Sequence, residues 1–478
     1  RSLNQIFQLF GGGGLGGPGS APDWERARQA AAALASEGGS EANVDPLVRI
    51  QFEQLARVAE LQVAQVTGLT LSRTGAGLTV SPVNRAQWAA ATVDAYRPLF
   101  EKLAASLGRM MTSQLDEISS DELDEMSSMM PPGMSFDMSA LMAGMSSFIG
   151  PMMLVTMAGS TVGQLGSRAF GSYDLPIPRP PSDELLVVAT AIDDFGNDWS
   201  LPLDDLRLCI CLAEMAHHAV LSQPHVRDRL NSLLAEHANG FEADSAALEE
   251  RLGPIDLSDP ESLGSLQNSL GNPEFMLSAI RSERQRQILP AIDTLVGCIE
   301  GYVDWVLDTI GAKLLTSYPM VSEALRRRRV ETAQASRFVE RLFGLELTQD
   351  KIDQGSAFID GVFARAGAPA LAALWSDVEH LPTPNELQAP GLWLARVGLE
   401  SDQPLPELDD DPGIPDFPDA HVHAFDREVA AALEVPLPAT EDAVKFSVPV
   451  TICPVLSLKA YVRTRWSSAV EVTVWVTV

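Results

Sequence analysis

From Leu208 to Leu221 the chain is apolar on every side of a would-be helix, and only Glu214, His217 and His218 break the run apart from two cysteines. A helix of this kind has no wet face and reads as one buried within a packed body. A second run, Leu295 to Asp308, is built the same way and carries Glu300 and Asp304. Ionisable groups inside such helices need partners. Alanine and leucine dominate the middle of the chain and aromatics make up only 6%, which favours helix over sheet. The predicted class is mainly α, with a short β-rich C-terminal tail.

At 478 residues and 46% hydrophobic, the chain can bury a sizeable core in one large helical domain with appendages. Residues 1–22 are rich in Gly, Pro and Ser and read as a flexible segment. Gly11 to Gly14 interrupt them before any long apolar run, so no signal peptide is expected; the opening without Met reads as a fragment or a trimmed product. Residues 23–400 form the helical domain, with Asp23 as a cap before Trp24. Phe52, Leu55, Val58 and Leu61 recur at close to one helical turn.

Residues 109–133 are acidic and polar and predict an exposed loop ending at Pro131-Pro132-Gly133. Twelve of the fifteen methionines lie between Met110 and Met157, and no charge falls between Asp137 and Arg168. Length alone would permit a membrane span there. Ser139, Ser146, Ser147, Ser160 and Thr161 dilute the run and Gly150-Pro151 breaks it, so two buried helices are expected instead. Tyr173 to Pro181 is a proline-fixed connector. Residues 182–345 read as helical with a turn-rich interruption near 253–273, and 346–400 as short helices. Residues 401–440 are an acidic, Pro-rich linker. In the 441–478 tail, alternation at Val444 to Ile452 and at Val470 to Val478 predicts strands.

The net charge of −30 repels nucleic acid and anionic membrane, so neither is an expected partner. Cys209, Cys211, Cys298 and Cys453 are too sparse for a disulfide framework, which suits a reducing cytoplasm. Cys209 and Cys211 read as small apolar residues on a buried helix rather than as metal ligands. The run Arg326 to Arg329 is the strong basic cluster, and in so acidic a chain it is expected to pair with carboxylates across the helix bundle. No Walker A loop, Ser-His-Asp order or Rossmann glycine fingerprint is present.

In the motif H-E-x-x-H, helical spacing aims two imidazoles at one zinc ion, and the Glu lies beside the zinc-bound water. Aligned on that pattern, Glu214 takes the base position and His217 the second ligand position, while Ala213 stands at the first and cannot bind metal. Glu300 and Asp304, at i and i+4, face the same way. By spacing they fit a third zinc ligand and a carboxylate that buttresses a ligand histidine. Taken alone, E-x-x-H is weak, and a buried Glu and His satisfying each other is the plainer reading.

An ordered series of segments adds to it. Tyr173-Asp174-Leu175-Pro176-Ile177-Pro178 comes first, then Glu214 to His218 with Pro224 after it, then Ile299 to Asp304 and Arg326 to Arg329. Leu342 to Leu347, Trp375, Leu381 to Leu387 and Trp393 follow. Over roughly residues 20 to 400 this order resembles an actinobacterial family of unknown function, identified with zincin-like, zinc-dependent metalloproteases and hydrolases. Part of that family is linked to deazaflavin coenzyme biosynthesis. The resemblance implies a zincin-like helical metalloprotease core, with Glu214 as base and His217 and Glu300 as zinc ligands. Asp304 and His218 would stand behind them.

This chain departs from the pattern at Ala213, and at His225, where a tryptophan is expected. It is closer to a branch that lacks the first histidine. His218 points about 100° away from His217 around the helix, so it could replace the lost ligand only if the helix were distorted. His225 lies beyond the turn. His421 and His423, near Asp416, Asp419 and Asp426, read as a surface loop. Zinc is therefore expected to be held weakly or not at all, and without it Glu214 has little to activate. The reading is a peptidase-like metal-dependent hydrolase with a degenerate zinc motif. The alternative is a pseudoenzyme, a zincin scaffold that binds a peptide or protein in the old cleft.

Overall fold

A computed structural model describes residues 22–116, 154–241, 282–330, 334–399, 461–463 and 473–475, apart from Arg73 and Ala76. The chain divides into two units, Arg1–Asp402 and Gln403–Val478.

The first unit is built almost wholly of helices. Three precede the site: α1 (Trp24–Ala35), α2 (Pro46–Thr67) and α3 (Arg85–Asp116), with strand β1 (Thr79–Val83) before α3. Asp23 caps α1 by accepting the Arg26 amide at 3.1 Å. Asp45 with Pro46 opens α2, and Gly68 closes it in a left-handed conformation. Helix α3 runs into the stretch predicted as loop, because the acidic residues begin only near its end; residues 117–153, with most of the methionines, lie outside the described residues. Helix α4 covers residues 154–166 and buries Leu154, Val155, Ala158, Val162 and Leu165.

Strand β2 (Glu184–Val188) pairs in parallel with β1, Thr79 opposite Glu184 and Val83 opposite Val188. On its other edge β2 takes a short antiparallel partner. Val188 donates to the Phe170 carbonyl at 2.8 Å, and Ser172 to the Leu186 carbonyl at 2.9 Å. This fixes the chain at Gly171, just before the proline-rich connector. There Tyr173, Leu175 and Ile177 are buried, so the connector threads the interior.

Helices α5 (Ala189–Asp198), α6 (Leu203–Leu221) and α7 (Pro224–Asn239) come next, then α8 (Glu283–Leu314). α6 is the buried helix that its composition demands: every residue from Cys209 to Leu221 except Ala213 is buried. α8 opens with a capping box between Ser282 and Gln285. After it come α9 (Tyr318–Val330), α10 (Gln334–Leu342) and α11 (Gln349–Leu374), then short α12 (Pro384–Gln388) and α13 (Pro390–Val397).

Residues 346–400 were expected as short helices; α11 is two helical pieces broken at Gly367, whose φ is 71°, and the short α12 and α13 follow it. α11 is long and apolar enough to cross a membrane. Its Phe358, Ile359 and Val362 are nonetheless fully buried in the protein core, against α8 among others. The two helices cross at glycines. A Cβ on Gly355 would lie 1.8 Å from the Gly297 carbonyl oxygen, and one on Gly301 would lie 2.4 Å from the Gly355 carbonyl carbon. Glu300 sits between these two α8 glycines, so the close crossing holds its stretch of α8 against α11.

In the second unit, β3 (Tyr461–Arg463) pairs antiparallel with β4 (Thr473–Trp475). The alternating run at residues 444–452 lies outside the described residues.

Candidate functional site

α6 and α8 present Glu214, His217 and Glu300 to one cavity of about 130 Å³. Ala213, Glu214 and His217 line it from α6, Glu300 from α8, Tyr173 and Asp174 from the connector, and Arg328 and Arg329 from α9.

His217 and Glu300, far apart in sequence, meet here. His217 Nε2 lies 3.0 Å from Glu300 Oε1, and His217 Nδ1 lies 2.9 Å from the Ala213 carbonyl oxygen. Burial by itself would depress the imidazole and raise the carboxyl. The mutual charge and hydrogen bond outweigh it, so His217 stands above the ordinary histidine range and Glu300 below the ordinary carboxyl range. The arrangement is a buried ion pair.

Glu214 is treated differently. Its Oε2 accepts the Tyr173 amide at 3.0 Å. Burial dominates here and pushes its pKa up to about 7, against the opposing pull of His217 and the Tyr173 amide. Glu214 fits only because residue 171 is glycine: a Cβ there would lie 2.3 Å from the Glu214 carboxyl carbon. The Gly171 carbonyl is held in turn by the Trp88 indole N–H at 2.7 Å.

His218 faces away from His217. It lies 3.0 Å from the Tyr173 hydroxyl and 3.1 Å from Ser222 Oγ. It therefore steadies Tyr173, whose amide holds Glu214. Asp304 does not reach a histidine. Both its oxygens are taken by Arg329, at 2.9 and 2.7 Å, in a two-pronged ion pair. Its expected place as a histidine buttress is thus filled by a different partner, because α9 brings the guanidinium to that turn of α8. Of the four arginines, Arg326 and Arg327 pair with Glu323 on their own helix. Arg328 reaches across to Asp174 at 3.2 Å and stacks 3.7 Å above Phe170. The second oxygen of Asp174 is buried without a hydrogen-bond partner.

The sequence motifs did not single out Gly171, Tyr173 or Asp174 as site residues. The available signal was the alternation of apolar residues Tyr173, Leu175 and Ile177, which marks a buried strand-like connector. His421 and His423 lie outside the described residues. Cys209, Cys211 and Cys298 are free and buried.

Among the described residues no group of three or more His, Cys, Asp or Glu side chains is arranged to hold a metal ion. The observation behind this is local. Aligned on the zinc motif, Ala213 brings a methyl where a ligand would stand, which leaves His217 and Glu300 as the two donors that meet. The donor set present does not fit a tetrahedral zinc site of three protein ligands and a water.

A model of the zincin-like metallopeptidase family matches residues 23–394, and the chain belongs to that family. The fold is shared with a crystal structure from Chloroflexus aurantiacus described as "a putative hydrolase with a novel fold". That likeness has a TM-score of 0.53 at 22% identity and covers 80% of this chain and 100% of the other. No curated protein matches the chain.

Proposed function

We propose that this chain is a hydrolase-type zincin scaffold with a degenerate zinc motif, in which the old catalytic cavity binds a peptide or protein segment instead of cleaving it. The observation that carries this reading is the closed pair of His217 and Glu300 beside the methyl of Ala213. An ion pair without a third ligand leaves no tightly held metal to acidify a water. The cavity, with Arg328, Asp174 and Glu214 on its walls, suits a polar side chain or a chain end. The ordered sequence segments support placing the chain in the actinobacterial branch that lacks the first histidine, within the wider family linked to deazaflavin coenzyme biosynthesis.

The retained Glu214 favours the second reading, a working hydrolase. Its pKa near 7 suits a group that exchanges a proton at neutral pH. Zinc content of the purified full chain separates the two. The proposal expects well below one zinc per chain at neutral pH, and stoichiometric zinc after Ala213→His. One tightly bound zinc per wild-type chain, lost on Glu300→Ala, would overturn it in favour of the hydrolase. If Ala213→His gains no metal, the alignment of His217 and Glu300 with zinc ligands is wrong.

A further inference from the structure

Helix α2 carries two apolar faces. Phe52, Ala56, Ala59 and Val63 are buried against the rest of the protein. On the opposite side Leu47 is 69% exposed, Ile50 50%, Val58 42% and Leu61 65%. At 100° per residue these four, with exposed Gln54 at their centre, fall within an arc of about 80° over four turns. Single exposed apolar residues are ordinary, whereas a continuous stripe of them marks a contact surface.

The charges beside the stripe identify the partner. α2 carries Arg49, Glu53, Arg57 and Glu60, which sum to zero in a chain of net charge −30. Arg49 reaches the Pro82 carbonyl and Glu60 accepts the Leu78 amide, so both are engaged within the protein. Glu53 and Arg57 are exposed and carry no ion pair to any described residue. Both lie on the same edge of the stripe. When two copies of α2 lie antiparallel about a two-fold axis through Gln54, Leu47 meets Leu61 and Ile50 meets Val58. The same edge of each helix then faces its counterpart. Glu53 of one copy comes opposite Arg57 of the other, about 3 Å apart along the axis and within reach of both side chains. A face that is apolar on both sides of Gln54, neutral overall and self-complementary at its edge fits a second copy of itself.

We infer that this exposed face of α2 is a homodimer interface, formed by antiparallel pairing of the helix with its copy. The test is the mass of the full chain in solution by light scattering and sedimentation over a range of concentrations. A concentration-dependent dimer is expected. Leu61→Glu should weaken it by about tenfold or more, since it places a charge against the apolar Leu47 of the copy at both ends of the stripe. Glu53→Arg and Arg57→Glu should each weaken it about two- to fivefold, and the double exchange should restore it. All three positions are exposed, so far-ultraviolet circular dichroism should be unchanged. A monomer at every concentration overturns the proposal, whether a different protein or another segment of this chain covers the face. So does a dimer indifferent to Leu61→Glu, or a double exchange that fails to restore what the single changes lose.

Discussion

The two walls of the cavity treat the same chemical group in opposite ways. On α6, Glu214 is buried against the connector with one amide donor, and with its pKa pushed up to about 7 it is about half protonated at pH 7. On α8, Glu300 is equally buried but faces His217 and the field of Arg329, and is held ionised. Burial and the charge of His217 are common to both, so the difference comes from the remaining partners: Glu300 also takes the His217 hydrogen bond and the field of Arg329, whereas Glu214 has one amide N–H, which does not offset its desolvation. One wall stores a proton and the other stores a charge pair.

That contrast can be broken most strongly at Glu300. Glu300→Ala leaves a buried imidazole without its partner and should cost about 3–5 kcal/mol of stability, measured by urea unfolding near pH 6. Glu300→Gln keeps a hydrogen bond to a neutral imidazole and should cost distinctly less. The pH dependence follows from the two directions. His217, raised, contributes stability that is complete below the ordinary histidine pKa and is lost as pH rises through its folded value. Glu300, lowered, contributes stability that is complete above the ordinary glutamate pKa and is lost as pH falls through its folded value. The pair is therefore worth most between the ordinary glutamate and histidine values of 4.5 and 6.5. A negligible loss on Glu300→Ala would mean that the two walls do not differ.

The Glu214 wall predicts the reverse slope. Between pH 4.5 and about 7 the folded chain binds more protons here than the unfolded chain, so stability falls as pH rises. Glu214→Gln should remove that loss. It should match the wild type near pH 4 and exceed it near pH 8 by up to about 3 kcal/mol. Parallel stability–pH curves for the two proteins would show that Glu214 titrates normally.

A smaller effect tests how this wall is built. Gly171→Ala drives a methyl into the Glu214 carboxyl and should cost about 1–3 kcal/mol. Adding Glu214→Ala should return part of it, since the nearest atoms the methyl meets all belong to Glu214. Additive losses in the double variant would place the strain elsewhere.

Much of this was legible beforehand. The apolar runs holding Glu214, His217 and Glu300 had to become buried helices, because nothing else accommodates so few polar groups. Ala213, aligned on the zinc motif, offers a methyl where a ligand is expected. The spacing of Glu300 and Asp304 put both on one side of α8, but not what each would meet. Asp304 meets Arg329 because α9 folds back against α8, a contact 25 residues away in sequence. Phe52, Leu55, Val58 and Leu61 recur at close to one helical turn, yet they do not share one face. A step of three instead of 3.6 carries them around the helix, so Phe52 is buried while Val58 and Leu61 are exposed.

The sequence by itself thus determined the helical class and the buried character of α6 and α8. Tertiary structure alone decided that His217 closes on Glu300, that Gly171 and Tyr173 form the wall around Glu214, and which side of α2 stays outside. The physical reason is the range of the forces involved. Periodicity and propensity act within a few turns of chain, whereas ion pairing and desolvation depend on neighbours that only the packed protein brings together.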